Sequence, residues 1–150
     1  MIVSPQGGGY SGIRLLVVED NAERLALLER WIPEDVRVTF ARSAGRAMRI
    51  IELDAGRVYA GMLLDHDLVD QNASESELGL TGRHVVDRII RHVDPDVAML
   101  VHSINPGGAR MMVQRLELAG FWTTRVPFVQ LNKARLNHWI DEIRGYWPLD

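Results

Sequence analysis

The sequence predicts an α/β fold, a doubly wound sheet of five parallel strands with helices on both faces. Three observations point there. Short apolar runs alternate with stretches of helical periodicity, and the alternation repeats five times from Ile13 onward. Two of the runs, IRLLVV at 13–18 and YAGMLL at 59–64, are nearly continuous, as suits strands covered by helices on both sides. A chain of 150 residues with 47% hydrophobic and 25% charged side chains also matches one domain around a single core.

Residues 1–12 (MIVSPQGGGYSG) are Gly-rich and aperiodic and read as a flexible tail, which leaves 13–150 as the single domain. The first strand spans Ile13 to Val18, and a helix follows with Leu25, Leu28 and Ile32 on its apolar stripe. The second strand, Val36 to Phe40, leads to a helix marked by Ala44, Ala47, Met48 and Ile51. The third, Tyr59 to Leu64, is followed by Val85, Val86, Ile89, Ile90 and Val93 at helical spacing. The fourth, Val97 to His102, precedes a helix with Met111, Met112, Leu116 and Ala119. The fifth, Phe121 to Val126, leads to a last helix carrying Leu136, Trp139, Ile140, Ile143 and Trp147. Asn21, Ser43 and Thr81 stand where N-caps are useful, and Asp94-Pro95 and Ala119-Gly120 mark stops. Such βα alternation favours the flavodoxin-like strand order 2-1-3-4-5.

Composition removes several classes of function. Without cysteine there is no disulfide framework, thiolate metal site or Cys nucleophile, and a reducing, cytoplasmic setting fits. No apolar run approaches the roughly 18 residues needed to span a bilayer, so no membrane role is expected. With 17 basic and 20 acidic residues the net charge is -3, which does not suggest a nucleic-acid binder. Every basic residue except Lys133 is arginine. The Gly7-Gly8-Gly9 run precedes the first strand instead of following one, and no G-x-x-x-x-G-K-[ST] occurs, so neither common nucleotide loop is present.

In an open α/β sheet ligands bind outside the carboxyl ends of the strands, where the strand order reverses. There the first strand ends in Glu19-Asp20, the third in Asp65-His66-Asp67 and the fourth in His102-Ser103-Ile104-Asn105. Acidic pairs from adjacent strands repel one another unless a cation neutralises them. Glu19, Asp20, Asp65 and Asp67 are therefore candidate metal ligands, and their hard oxygens suit Mg2+, or alternatively Mn2+. Asp20 has another use, beside the positive end of the following helix. His66 and His102 add imidazoles at the rim; with a cation they suit a phosphate ester, one as general base and the other as general acid. No recognised zinc spacing occurs. The 67–80 segment, with Asp67, Asp70, Glu75 and Glu77, reads as a solvated loop or as a lid. Asn105-Pro106-Gly107-Gly108 reads as a turn or as backbone that helps hold an anion.

LLVVEDN at 15–21 and GMLLDHDL at 61–68 resemble the first and third strands of the response-regulator receiver (CheY-like) family. The resemblance runs from about Ile13 to Gly145 and includes Leu80-Thr81-Gly82, Ser103 and Val126-Pro127-Phe128. It implies Mg2+ on Glu19 and Asp20, a phosphoryl group accepted by Asp65 from a phosphodonor, and signalling to a protein partner through the face of helix 4, strand 5 and helix 5. It leaves no room for a DNA-binding output domain in this chain. Val126 takes the place of the family's strand-five lysine. Arg125 should point to the opposite face, Lys133 lies seven residues further on, and Thr123, beside Trp122, fills the place of the preceding aromatic.

The sequences D-H-D-L after strand three and H-S-x-N after strand four resemble the cyclic-phosphate-processing receivers. That resemblance implies a metal-dependent phosphoesterase or phosphate-binding domain. Asp65, His66, His102 and Ser103 are then the catalytic candidates, and Ser103 and Asn105 the phosphate-binding ones. The alternatives are a receiver phosphorylated on Asp65, and a pseudo-receiver that binds a partner through Trp139, Tyr146 and Trp147.

Overall fold

The computed structural model describes residues 12–68 and 79–147. The predicted tail, apart from Gly12, and residues 69–78 of the acidic segment lie outside them. Five parallel strands, β1 (Arg14–Val18), β2 (Arg37–Ala41), β3 (Gly61–Leu64), β4 (Ala98–Val101) and β5 (Thr123–Arg125), form one sheet in the order β2-β1-β3-β4-β5. The helices are α1 (Ala22–Trp31), α2 (Ala44–Leu53), α3 (Gly82–His92), α4 (Pro106–Leu118) and α5 (Lys133–Arg144). Both the fold class and the strand order are those the sequence predicts. β2 keeps its predicted length, shifted by one residue, and the other strands are shorter than predicted, most of all at the β5 edge, where the Phe121 N–H is drawn back to the Leu116 carbonyl at the end of α4.

The expected single core is two apolar layers divided by the sheet. Ala47 and Ile51 of α2, Val86 and Ile89 of α3, and Met112 and Leu116 of α4 fill one face. Leu28 of α1 and Leu136, Trp139, Ile140 and Ile143 of α5 fill the other. Every residue of β3 and β4 is buried, as strands covered on both sides must be. Burying each large aliphatic side chain stabilises the fold by about 1.5–3 kcal/mol. The second layer depends on a missing side chain: a Cβ on Gly61 would lie 2.6 Å from the Trp139 ring, so α5 rests directly on β3.

All three predicted N-caps are in place. Asn21 accepts from the Arg24 N–H, Ser43 from Arg46, and Thr81 from Arg83, with His84 Nδ1 accepting from the Thr81 N–H in return. Asn105 and Asn132 cap α4 and α5 in the same way. Among the described residues no helix is long and apolar enough to cross a membrane.

Candidate functional site

Register places the chemistry. Val18 pairs with Leu64, Leu64 with Val101, and Val101 with Arg125, so the carboxyl ends of β1, β3, β4 and β5 are level. The ladder runs one residue further, through N–H bonds from Asp65 to Val18, His102 to Leu64 and Val126 to Val101. Glu19, Asp65, His102 and Val126 thus form one row. Side chains alternate along strands, and Val17, Leu63 and Leu100 face the α1/α5 layer, so this row faces it too. Asp20, His66 and Ser103, one residue on, begin on the other side.

Glu19 and His102 are completely buried and joined at 2.9 Å, His102 Nε2 donating to Glu19 Oε1. Glu19 Oε2 accepts the N–H groups of Asp20 and Asn21, both at 3.0 Å. Burial pushes the Glu19 carboxyl upward, but the His102 hydrogen bond and charge, the Asn21 N–H and Arg24 more than reverse it, holding it below the ordinary value. His102 Nδ1 is buried without a hydrogen-bond partner among the described residues. The His102 ring meets the edge of Phe128, with centroids 5.9 Å apart.

Asp65 is buried, and its Oδ1 accepts the His66 N–H at 2.8 Å. Its pKa is raised, first by burial and then by the charge of Glu19. Asp20 is pushed up to about 6 by burial and by the negative charges of Glu19 and Asp65. Asp67 is held below its usual range, chiefly by His66, whose Nδ1 donates to Asp67 Oδ1 at 2.8 Å, while Asn105 Nδ2 donates to the same oxygen at 3.2 Å. Ser103 is fully buried, its Oγ accepting the Asn105 N–H.

The structure therefore divides the sequence-predicted residues into three groups. Asp20, Asp65 and Asp67 line one cavity of about 230 Å³, together with Asn21, Arg24 and Ile104. Glu19 and His102 stand behind it, on the α1/α5 side. His66 and Asn105 hold Asp67 from the α4 side, where the His66 ring occupies the space a Cβ on Gly108 would need. The two histidines thus serve different carboxylates. Glu19, Asp65 and His102 also bring one ligating atom each within 4.8 Å of one another, but His102 Nε2 is already bound to Glu19. As a donor set for a hard divalent cation, Asp20 and Asp65 fit better, since Glu19 has both oxygens occupied.

Sequence reasoning missed Arg24. Its Nη1 lies 3.6 Å from Glu19 Oε1 and 3.7 Å from Asp65 Oδ2. Its guanidinium carbon sits 5.3 Å from the centroid of Phe128, and Phe128 is stacked in turn on Trp31. A signal was present, because Arg24 falls in the first turn of α1, where a cation opposes the helix dipole and needs another reason to be there. Lys133, the sole lysine, is exposed at the start of α5 and does not line the cavity.

An open parallel sheet of this order, with carboxylates gathered at the carboxyl ends of its two central strands, defines the receiver class. The model of the cyclic-phosphate processing receiver domain matches residues 14–118, and the chain belongs to that family. Solved structures agree on the fold. A CheY-like response regulator receiver domain protein from Methanospirillum hungatei is 18% identical, with 89% of this chain and 94% of that one covered and a TM-score of 0.64. The receiver domain of a sensor histidine kinase from Pseudomonas aeruginosa, which holds a magnesium ion in its active-site cleft, is 22% identical over 89% and 98%, with a TM-score of 0.64. The response regulator domain of CheB from Thermotoga maritima is 19% identical over 92% and 98%, with a TM-score of 0.59. No curated protein sequence gives a significant match.

Proposed function

We propose that this domain is a Mg2+-dependent phosphate-ester site of the cyclic-phosphate type, acting in the cytoplasm. The observation that supports it most is the crowding of Asp20, Asp65 and Asp67 into one cavity beside Arg24, with Asp20 raised to about 6. Such crowding is relieved by a divalent cation, for which Asp20 and Asp65 are the direct ligands, Asp67 the adjacent one, and Glu19 a charge behind them. When bound, Mg2+ polarises a phosphoryl oxygen and neutralises developing charge.

The remaining roles follow from the hydrogen bonds. His66, held through Nδ1 by Asp67, serves as the general base that takes a proton from water. The water oxygen forms a new P–O bond, one ester P–O bond breaks, and the leaving alkoxide takes up the proton that His66 removed from water. Asn105 acts on the phosphate side through Asp67, to which its Nδ2 donates, and the fully buried Ser103 acts through the Asn105 N–H. His102 acts through Glu19, fixing that carboxylate in place, and is a positioning residue. With Mg2+ present, 2',3'-cyclic nucleotides should be opened to monoesters, and His66→Ala or Asp65→Asn should reduce turnover by roughly 100-fold or more. Absence of turnover and of binding by the wild type rejects the reading.

One observation favours phosphoryl acceptance at Asp65 as a second reading. Its Oδ1 is held by the His66 N–H, leaving Oδ2 toward Arg24. In that case acetyl phosphate labels Asp65, and output passes to a protein partner through the α4, β5 and α5 face; no labelling removes this reading.

A further inference from the structure

We propose that Arg24 is the residue that grips the phosphate oxygens of the ligand, so that this site takes its fixed positive charge from α1. The inference rests on the phosphate-ester reading above and assigns that site its anion-binding group. Among the described residues lining the cavity Arg24 is the sole cation. Its side chain is held without being used up. Nη1 stands 3.6 and 3.7 Å from Glu19 and Asp65, beyond the roughly 2.7–2.9 Å of a charge-assisted hydrogen bond, so the planar fork of N–H donors stays available. The face of Phe128, 5.3 Å below, sets the plane of the guanidinium, and Trp31 backs Phe128. Only about a quarter of the Arg24 side chain is exposed (24%), so it is preorganised where solvent is largely excluded.

The position makes sense for an anion and poorly for a purely structural ion pair. A cation in the first turn of a helix is disfavoured by the helix dipole. Glu19 already has His102 and two backbone N–H groups, so its burial does not depend on a loose contact at 3.6 Å. Once a divalent cation offsets Asp20 and Asp65, the guanidinium is drawn less to Asp65, and its donors can make two parallel bonds to one tetrahedral oxyanion. Lysine would keep the charge and lose that fork.

The test is calorimetric titration of wild type, Arg24→Gln, Arg24→Lys and Phe128→Leu, first with Mg2+ alone and then with inorganic phosphate in saturating Mg2+. Arg24→Gln should leave Mg2+ affinity within about twofold, or tighten it through lost repulsion, and weaken phosphate by roughly 10- to 100-fold. Arg24→Lys should recover part of that loss, and Phe128→Leu should weaken phosphate by a few fold with Mg2+ unaffected. If wild type binds both probes and Arg24→Gln binds phosphate as well as wild type, this inference is overturned and the phosphate-ester reading stands. If Arg24→Gln loses Mg2+ as well, Arg24 is structural and the inference is overturned too. Wild type binding neither probe removes both.

Discussion

The contact between Glu19 and His102 ties stability to the site. Both side chains are fully buried, so removing the imidazole leaves a carboxylate without its main partner in an apolar layer. His102→Ala should cost about 3–5 kcal/mol in urea denaturation, as breaking a buried pair does; a loss below about 1 kcal/mol would mean that the pair contributes little. Asp20 gives a pH signature. Its folded pKa, near 6, lies above the ordinary 3.8, so the folded state binds the proton more tightly than the unfolded chain. Its contribution to metal-free stability is therefore fully present below about pH 4 and is lost as pH rises toward 6. Mg2+ needs the carboxylate, so its affinity should fall by up to about tenfold per pH unit below pH 6 and level off above it. A titration with no break near pH 6 would remove Asp20 from the ligand set. At this scale the sequence was partly legible. The acidic pairs could be read from their places after the strands, but His66 and His102, read together as base and acid, are parted by the register, since His102 shares the row of Asp65 and His66 follows it by one residue. Arg24 left only a weak trace, a cation in the first turn of a helix, and otherwise looks like a solvated arginine until the fold brings Phe128 and Asp65 beside it.

At the level of elements, strands and caps were readable because each rests on local chemistry. Continuous apolar runs need cover on both faces, and Asn, Ser and Thr at helix starts satisfy free N–H groups. Strand ends were less readable, since they depend on pairing, as the shortening of β5 shows. Helix α4 carries the sharpest test here. A Cβ on Gly108 would enter the His66 ring. Gly108→Ala gains about 1 kcal/mol of helix propensity and loses about 1–3 kcal/mol to overpacking, so net destabilisation should stay within about 2 kcal/mol. Meanwhile His66 should be pushed from Asp67, visible as a changed imidazole NMR signal and reduced turnover. An unchanged His66 signal would show that the imidazole does not rest on Gly108 in solution. Asn105→Ala removes the α4 cap and one donor to Asp67 together, and should cost about 1 kcal/mol in stability.

Across the whole molecule, the level carboxyl ends of β1, β3 and β4 convert three separate sequence motifs into one site. The order 2-1-3-4-5 that alternation predicts is what brings Glu19-Asp20 next to Asp65, so fold and acidic pocket are legible together. What alternation cannot supply is the second layer of contacts, from Arg24, Phe128 and Trp31, which depends on how α1 packs beside the end of β5. The proposed divalent cation on Asp20 and Asp65, by binding the folded state, should also stabilise it. At 100 times its dissociation constant Mg2+ should add about 2.7 kcal/mol, raising Tm by several degrees in a domain of this size. The most direct measurement is calorimetric titration of Mg2+ at pH 7.5 into wild type and Asp65→Asn. One ion should bind per wild-type chain, with affinity lowered by roughly tenfold or more in Asp65→Asn. Equal affinity in the two proteins, or no binding by the wild type, would contradict this.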